Sequence, residues 1–469
     1  MTDVPCRYCG QLIHVEHKKP PVAPFGAGHV PSTTLYLDPA AMNRAGRNMA
    51  LVIALTTLLP VVILAVVGAG PPLARKIRTS LRPFPATCGV NDRLELSGDY
   101  TGTGPIVEVI GPNCKVTITK SNLKGTTLVK GTAPNLEVTL EDVTLETTDV
   151  LFEGGINAKL RAKGGRLSSP KGVVVGSTSF VVELDGTSVE STGGAAIRGK
   201  SNLKVRATGG RIAGKTAAID AESSADVTLK GGAELTGEGM AILATSSLKL
   251  DAEGGKIEGG DAAIRATSNA NVKTNGTVVS GKEKAIAVGP SSTLALTGGS
   301  VTSAAGPAIE SDGTVHAELA GVTVQGAEAA VAAQHGLKVR ATKKARLVST
   351  SGHGITSSSG LELTLVDATV EAARAAVKAG SNTKVRLSQG AKLTGKRGGI
   401  VGDSNLEVDA KGATIEGGAG PAIAAGYGAK LSFSGGAVRG TPAFDLARKP
   451  SSFDVEGTTI EGEQRIPSR

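Results

Sequence analysis

Three short stretches of this chain hold residue types that do chemistry. "GGRIAGKT", Gly209 to Thr216, spells G-x-x-x-x-G-K-T. That pattern fits a loop whose backbone N–H groups cradle phosphates while a lysine and a hydroxyl serve the β/γ-phosphates and magnesium. Near the amino terminus, "CRYCGQLIHVEH" spaces Cys6 and Cys9 as one zinc knuckle, and His14 and His17 would complete a Cys2His2 set. "GHG", Gly352 to Gly354, sets His353 between two glycines. Which of these is a site depends on the elements that carry them.

The chain has 469 residues, 64 of them glycine, with no tryptophan, 7 Phe and 4 Tyr. Its interior must therefore be built from Val, Ile, Leu and Ala. An apolar content of 40% excludes a disordered chain, and the glycines follow no G-X-Y period, which excludes collagen. The net charge is +9. Residues 1–84 hold nine basic and three acidic residues, so most of the excess flanks one hydrophobic segment rather than a nucleic-acid surface. Anionic lipid headgroups are the expected counterpart, and no nucleic-acid partner is expected.

That segment is Met49 to Gly70, 22 residues without a charge. It is long enough for a single transmembrane helix, in which Pro60 would be tolerated as a kink. The polar stretch before it is too long for the leading region of a cleaved signal peptide. Arg44 and Arg47 precede the segment, whereas Arg75, Lys76, Arg78 and Arg82 follow it, which by the positive-inside rule places the larger part inside. The cysteines argue the other way. Cys6 and Cys9 suit a reducing cytosol as metal thiolates, while Cys88 and Cys114 suit a disulfide outside it. We favour a cytoplasmic amino terminus in a bacterial inner membrane and an extracytoplasmic remainder.

From residue 106 a small-small-aliphatic signature recurs, as in "AAIRG", "AAIDA" and "PAIES". Its aliphatic member falls at Ile106, Leu128, Leu151, Val174, Ile197, Ile219 and on to Phe444, sixteen positions spaced 21 to 24 residues apart and mostly 22 or 23. Each unit carries two further alternating runs, of the kind "SNLKVRA" and "GRIAG", bounded by Gly, Ser and Asn. Three short strands per unit with turns too short for helices predict an all-β parallel β-helix of about sixteen coils, roughly 75–80 Å long. Asn113, Asn135, Asn157, Asn202, Asn271, Asn382 and Asn405 share a phase before the same strand and are expected to stack as a ladder.

On this repeat length and strand pattern, residues 88–462 resemble the right-handed parallel β-helix superfamily, the pectate-lyase-like fold. The resemblance implies fold strongly and function weakly. In the next unit, "GGKIEGGDAAIRA" puts Asp261 where Thr216 stands, and "AAIDA" after "GKT" reads as a strand rather than a phosphate-capping helix. Lys215 is thus expected at a surface corner. Enzymes that this fold resembles act on acidic polysaccharides, with acidic calcium ligands plus an arginine, or with clustered aspartates beside G-H-G. Here no Asp-Asp or N-T-D occurs, and other units carry Ala where His353 stands. No catalytic residue is assigned, and none of the β-helix residues is expected to hold a cofactor.

One outward column is distinctive, with Lys159, Arg161, Lys204, Arg206, Lys338, Arg340, Lys384 and Arg386 at matching positions. It reads either as a solvated face or as a ladder for an anionic polymer, and interspersed acids such as Glu137, Glu183 and Asp409 favour the first. The amino-terminal cysteines resemble half of a zinc ribbon lacking its second C-x-x-C, so zinc is expected only there. The predicted organisation is a zinc-ribbon-like tail (1–17), a linker (18–48), the membrane helix (49–70), a basic juxtamembrane linker (71–87) and the β-helix (88–462). The function expected is that of a membrane-anchored, non-enzymatic scaffold or binding protein with a glycan or protein partner along its flank. A polysaccharide lyase or hydrolase is the second reading. The third is a cytoplasmic polymer resembling bactofilins.

Overall fold

The computed structural model describes residues 2–5, 12–15 and 84–468. Near the amino terminus, Thr2–Pro5 pairs antiparallel with Leu12–Val15, with Asp3 opposite His14. Cys6, Cys9, His17 and the predicted membrane helix at 49–70 lie outside the described residues. Among the described residues there is no helix.

From Ala86 onward the chain is a parallel β-solenoid of about 17 turns. It starts two residues before the expected boundary, and its last strand, Gln464–Arg465, passes the expected end at 462. Forty-six strands join in this one arrangement. Each full coil contributes three. In the coil around "GGRIAGKT" these are Ile197–Ser201 on a first face, Leu203–Thr208 on a second and Arg211–Gly214 on a third. The next coil opens with Ala217–Ala221. Ile197 pairs with Ile219, Val205 with Val227 and Ile212 with Leu235, so the three faces advance together.

Alternation decides what is inside. On Leu203–Thr208 the residues Leu203, Val205 and Ala207 are buried, and Lys204, Arg206 and Thr208 point out. At the entry to the first face two consecutive residues are buried, as with Ala218 and Ile219 or Val173 and Val174. That doubling explains a phase error in the sequence reading. Val107, Val129 and Phe152, not Ile106, Leu128 and Leu151, pair into the column of Val174, though all six are buried.

The corners follow from backbone geometry. Between the second and third faces Gly209 and Gly210 adopt φ of 62° and 71°, in the left-handed region that glycine enters without steric cost. Between the first and second faces the left-handed residue is often asparagine, and there the ladder forms. Asn113 donates to Asn91 at 2.8 Å, Asn135 to Asn113 at 2.9 Å, Asn157 to Asn135 at 3.3 Å and Asn405 to Asn382 at 3.0 Å. Asn271 does not belong to it. The strand Ala270–Asn275 contains Asn271, and the left-handed corner residue of that coil is Asn269.

Large side chains need local room. Phe180 is fully buried and stacks 5.7 Å from Phe152. A Cβ on Gly176 would lie 2.3 Å from the Phe180 ring, and one on Gly154 would lie 2.4 Å from it. The two glycines are therefore the space that the ring occupies.

The two ends of the stack differ. At the first coil Ala86, Cys88, Leu94 and Leu96 are buried, and Cys88 is disulfide-bonded to Cys114 with a Cα–Cα distance of 6.1 Å. At the last coil the residues of the inward phase are only partly covered: Phe453 and Ile460 are half-buried, and Val455 is 39% exposed.

This packing predicts a steep contrast between inside and outside. Ile264→Ala, which empties a fully buried site in mid-stack, is expected to cost about 2–5 kcal/mol in denaturant unfolding followed by circular dichroism. Lys282→Ala, on an exposed neighbouring turn, should stay within about 0.5 kcal/mol. Equal losses would contradict the assigned phase.

Candidate functional site: charged rows and a trough on the solenoid

The second face carries the predicted basic column, and the structure shows what stands beside it. Parallel stacking sets residues one repeat apart next to each other, so a cation on one coil meets the side chain about 22 residues on. Lys159 pairs with Glu183 at 2.9 Å. Arg161 bridges two coils, reaching Glu183 at 2.9 Å and Glu137 at 2.5 Å. Lys115 closes on Glu137 at 2.9 Å, and Arg206 reaches Glu183 at 3.4 Å. Lys204 pairs with Asp226 at 3.7 Å, Lys338 with Glu362 at 3.2 Å, and Lys384 with Glu407. Of the eight residues of that column, Arg340 and Arg386 make no ion pair among the described residues. The row is thus a network of matched charges rather than an open cationic strip.

The carboxylates register these neighbours. The Lys115 hydrogen bond is the main cause that lowers the Glu137 carboxyl below its ordinary value. At Glu183 burial is the largest influence and pushes upward, but hydrogen bonds from Lys159 and Arg161 together outweigh it and the net shift is down. Glu416, on the third face, behaves the same way, with Lys392 and Thr394 outweighing burial. The third face also pairs across coils, with Arg346 forked onto Glu371 at 3.2 and 2.6 Å.

At "GGRIAGKT" the loop geometry is that of a coil corner. Lys215 and Thr216 are exposed in the turn between Gly214 and Ala217, and the chain continues as a strand. The Lys215 N–H donates to the Gly194 carbonyl at 2.9 Å, so it is used within the stack rather than left for phosphate. A Cβ on Gly214 would lie 1.8 Å from the Ala217 carbonyl oxygen, and Gly237, Gly259 and Gly281 face the same obstruction at 1.7, 2.0 and 1.8 Å. Where serine takes this place its hydroxyl caps the turn, as Ser303 does on the Glu283 carbonyl at 2.6 Å.

This run of side-chain-free positions lies along an open trough of about 650 Å³. Its charged lining is Glu190, Arg211, Lys215, Glu238, Glu258 and Lys282. Both signs are present, no aromatic ring lines it, and Lys215, Glu238 and Lys282 make no ion pair among the described residues. Such a surface can hold an extended polar chain by hydrogen bonds from several coils at once. The sequence reading missed the trough, although its signal was there: glycine recurring at one phase, as the last residue of the third strand.

His353 sits half-buried at the start of the strand His353–Ser359, beside a hollow that Lys378 and Asp403 also line. Its Nδ1 accepts the Ala375 N–H at 3.2 Å. Burial, then repulsion from Lys378 and Arg374, lowers its pKa below 6.5. The bond to the Ala375 N–H ties the ring to the backbone of the next coil. Among the described residues no three His, Cys, Asp or Glu side chains converge as metal ligands. The Cys6, Cys9, His14 and His17 set is not placed: three of the four lie outside the described residues, and His14 is placed only by its backbone pairing with Asp3.

The shifts give the solenoid two acid-sensitive windows. Glu137, Glu183 and Glu416 are held below 4.5, so their contribution is complete above that value and is lost as pH falls through the lowered folded values. His353 is held below 6.5, so protonating it also favours unfolding as pH falls from 6.5. The melting temperature should therefore decline slightly below pH 6.5 and more steeply below 4.5. Glu183→Gln should flatten the lower limb and His353→Gln the upper; a profile unchanged in both variants would show that the pairs contribute nothing.

No known family model, curated protein or solved structure matches this chain.

Proposed function

We propose that the chain is a membrane-anchored, non-enzymatic scaffold of a bacterial envelope, with a right-handed β-helix presented outside the cytoplasmic membrane. In this reading Met49–Gly70 is the anchor. Cys6, Cys9, His14 and His17 hold zinc in a cytoplasmic tail, and the trough on the third face receives a glycan or an extended protein segment. The observation that carries it is the distribution of charge: cations and carboxylates are spent on each other from coil to coil, and the open surface is long and shallow. A lyase or hydrolase needs acidic groups focused at one place, and the solenoid spreads them. The Cys88–Cys114 bond supports the extracytoplasmic placement, since such bonds persist in oxidising compartments.

The test uses the full chain with Cys6 and Cys9 changed to serine. Membranes are washed with alkaline carbonate, and the buried Cys88 and Cys114 are probed with a maleimide in denaturant. The expected result is a chain retained in the membrane whose two cysteines react only after reduction. Release by carbonate would overturn the anchor, and labelling in freshly lysed cells without reductant would overturn the external placement.

A further inference from the structure

The first four coils carry an apolar stripe along one corner. Each member stands directly before an asparagine of the ladder: Val90 before Asn91, Pro112 before Asn113, Pro134 before Asn135 and Ile156 before Asn157. Backbone bonds stack them, because the Asn91 N–H donates to the Pro112 carbonyl, that of Asn113 to Pro134 and that of Asn135 to Ile156. Ile110 adjoins the stripe on the second coil. Val90 is 62% exposed, Ile110 70% and Ile156 54%, which makes this corner the one place among the described residues where large exposed aliphatics gather. The next corner residues up the stack are Thr178 and Ser201, and Ser246 and Ser268 follow. The corner is thus aliphatic over the first four coils and mostly hydroxylic beyond them, with Pro290, His335 and Tyr427 as single exceptions.

We propose that this corner is a membrane-contact edge, seated in the interfacial region of the bilayer that holds the anchor. The inference rests on the anchored reading given above. In the anchored reading residues 71–83 join the uncharged stretch to the first described residue and span at most roughly 45 Å, a tether short enough to let the entering end reach the lipid surface. Their basic residues Arg75, Lys76, Arg78 and Arg82 favour anionic headgroups. The stripe has the chemistry of shallow insertion, with branched aliphatic and proline side chains on turns and no charge among them. The amide ladder beside it keeps the side chains in one line before any contact is made.

Full-length chain carrying Cys6→Ser and Cys9→Ser is reconstituted into vesicles of phosphatidylcholine and phosphatidylglycerol doped, in parallel preparations, with a headgroup-region or an acyl-chain spin-labelled lipid. A fluorophore is attached in turn at Ile110→Cys, at Ile156→Cys, at Tyr427→Cys on the far part of the same corner, and at Leu58→Cys in the anchor. Positions 110, 156 and 427 are exposed, so labelling leaves the core intact, and retention of the Cys88–Cys114 bond checks the fold. Quenching at 110 and 156 is expected to exceed that at 427 by at least about twofold, with 58 also quenched by an acyl-chain label. Quenching at 58 but equal values at 110, 156 and 427 overturns the membrane-contact edge and leaves the anchor standing. Disulfide cross-linking of Ile110→Cys between copies overturns it in favour of a second chain, and an unquenched probe at 58 overturns the anchored reading together with this one.

Discussion

A parallel coil cannot satisfy its own backbone. Every strand N–H and C=O in the solenoid looks for its partner in the coil before or after, so all coils must keep one register over the whole stack. The rest of the structure serves that constraint. Inward positions carry aliphatics that rest on equivalents one repeat away, in some columns with large and small alternating, as in Leu203, Ala225, Leu248 and Ala270. Corners take glycine or asparagine because the turn from one face to the next needs a left-handed residue. Where a coil admits a larger group, as at Phe180, neighbouring coils give up side chains at Gly154 and Gly176 rather than widen the prism.

The same constraint organises the charges. Stacking puts like positions side by side, so a column of lysines alone would repel along its length. Here Glu137, Glu183, Asp226, Glu362 and Glu407 are set among the cations of the second face, and Arg161 ties together the coils on either side of its own. Individually such exposed pairs contribute little, about 0.2–1 kcal/mol where geometry is favourable. Their larger effect is on register, since a slip of one residue would turn each matched pair inward and bring core residues to the surface.

The period, the alternation and the all-β parallel architecture were legible in the sequence, because an error-tolerant repeat writes the same three strands many times. Phase was legible less evenly. Where two consecutive residues are buried at the entry to the first face, hydrophobicity does not choose between Leu151 and Phe152, and only hydrogen bonding does. Asn271 looked like a ladder residue because an asparagine stands two places from the true corner, Asn269. The candidate site was less visible still. That Lys204 faces Asp226, or that Gly214, Gly237, Gly259 and Gly281 align beside a trough, is a property of neighbours one coil apart rather than of any local motif. The "GKT" of Lys215 shows the converse: eight residues can match a phosphate loop while their backbone is already committed to the next strand.

The unequal ends give the stack a direction. The inward residues of its first coil are buried and that coil is held to the second by the Cys88–Cys114 bond, while its last coil leaves Phe453, Val455 and Ile460 partly bare. Pulled from its two ends, such a solenoid has one weak terminus and one fixed one. Coils would peel from the carboxyl end in sequence, each releasing roughly 75 Å of chain, and the covalent link would halt the process before the final coil. Tethered at the opposite end, the molecule would behave as an extensible strap that lengthens in discrete steps under load and rewinds onto an intact template when the load is removed.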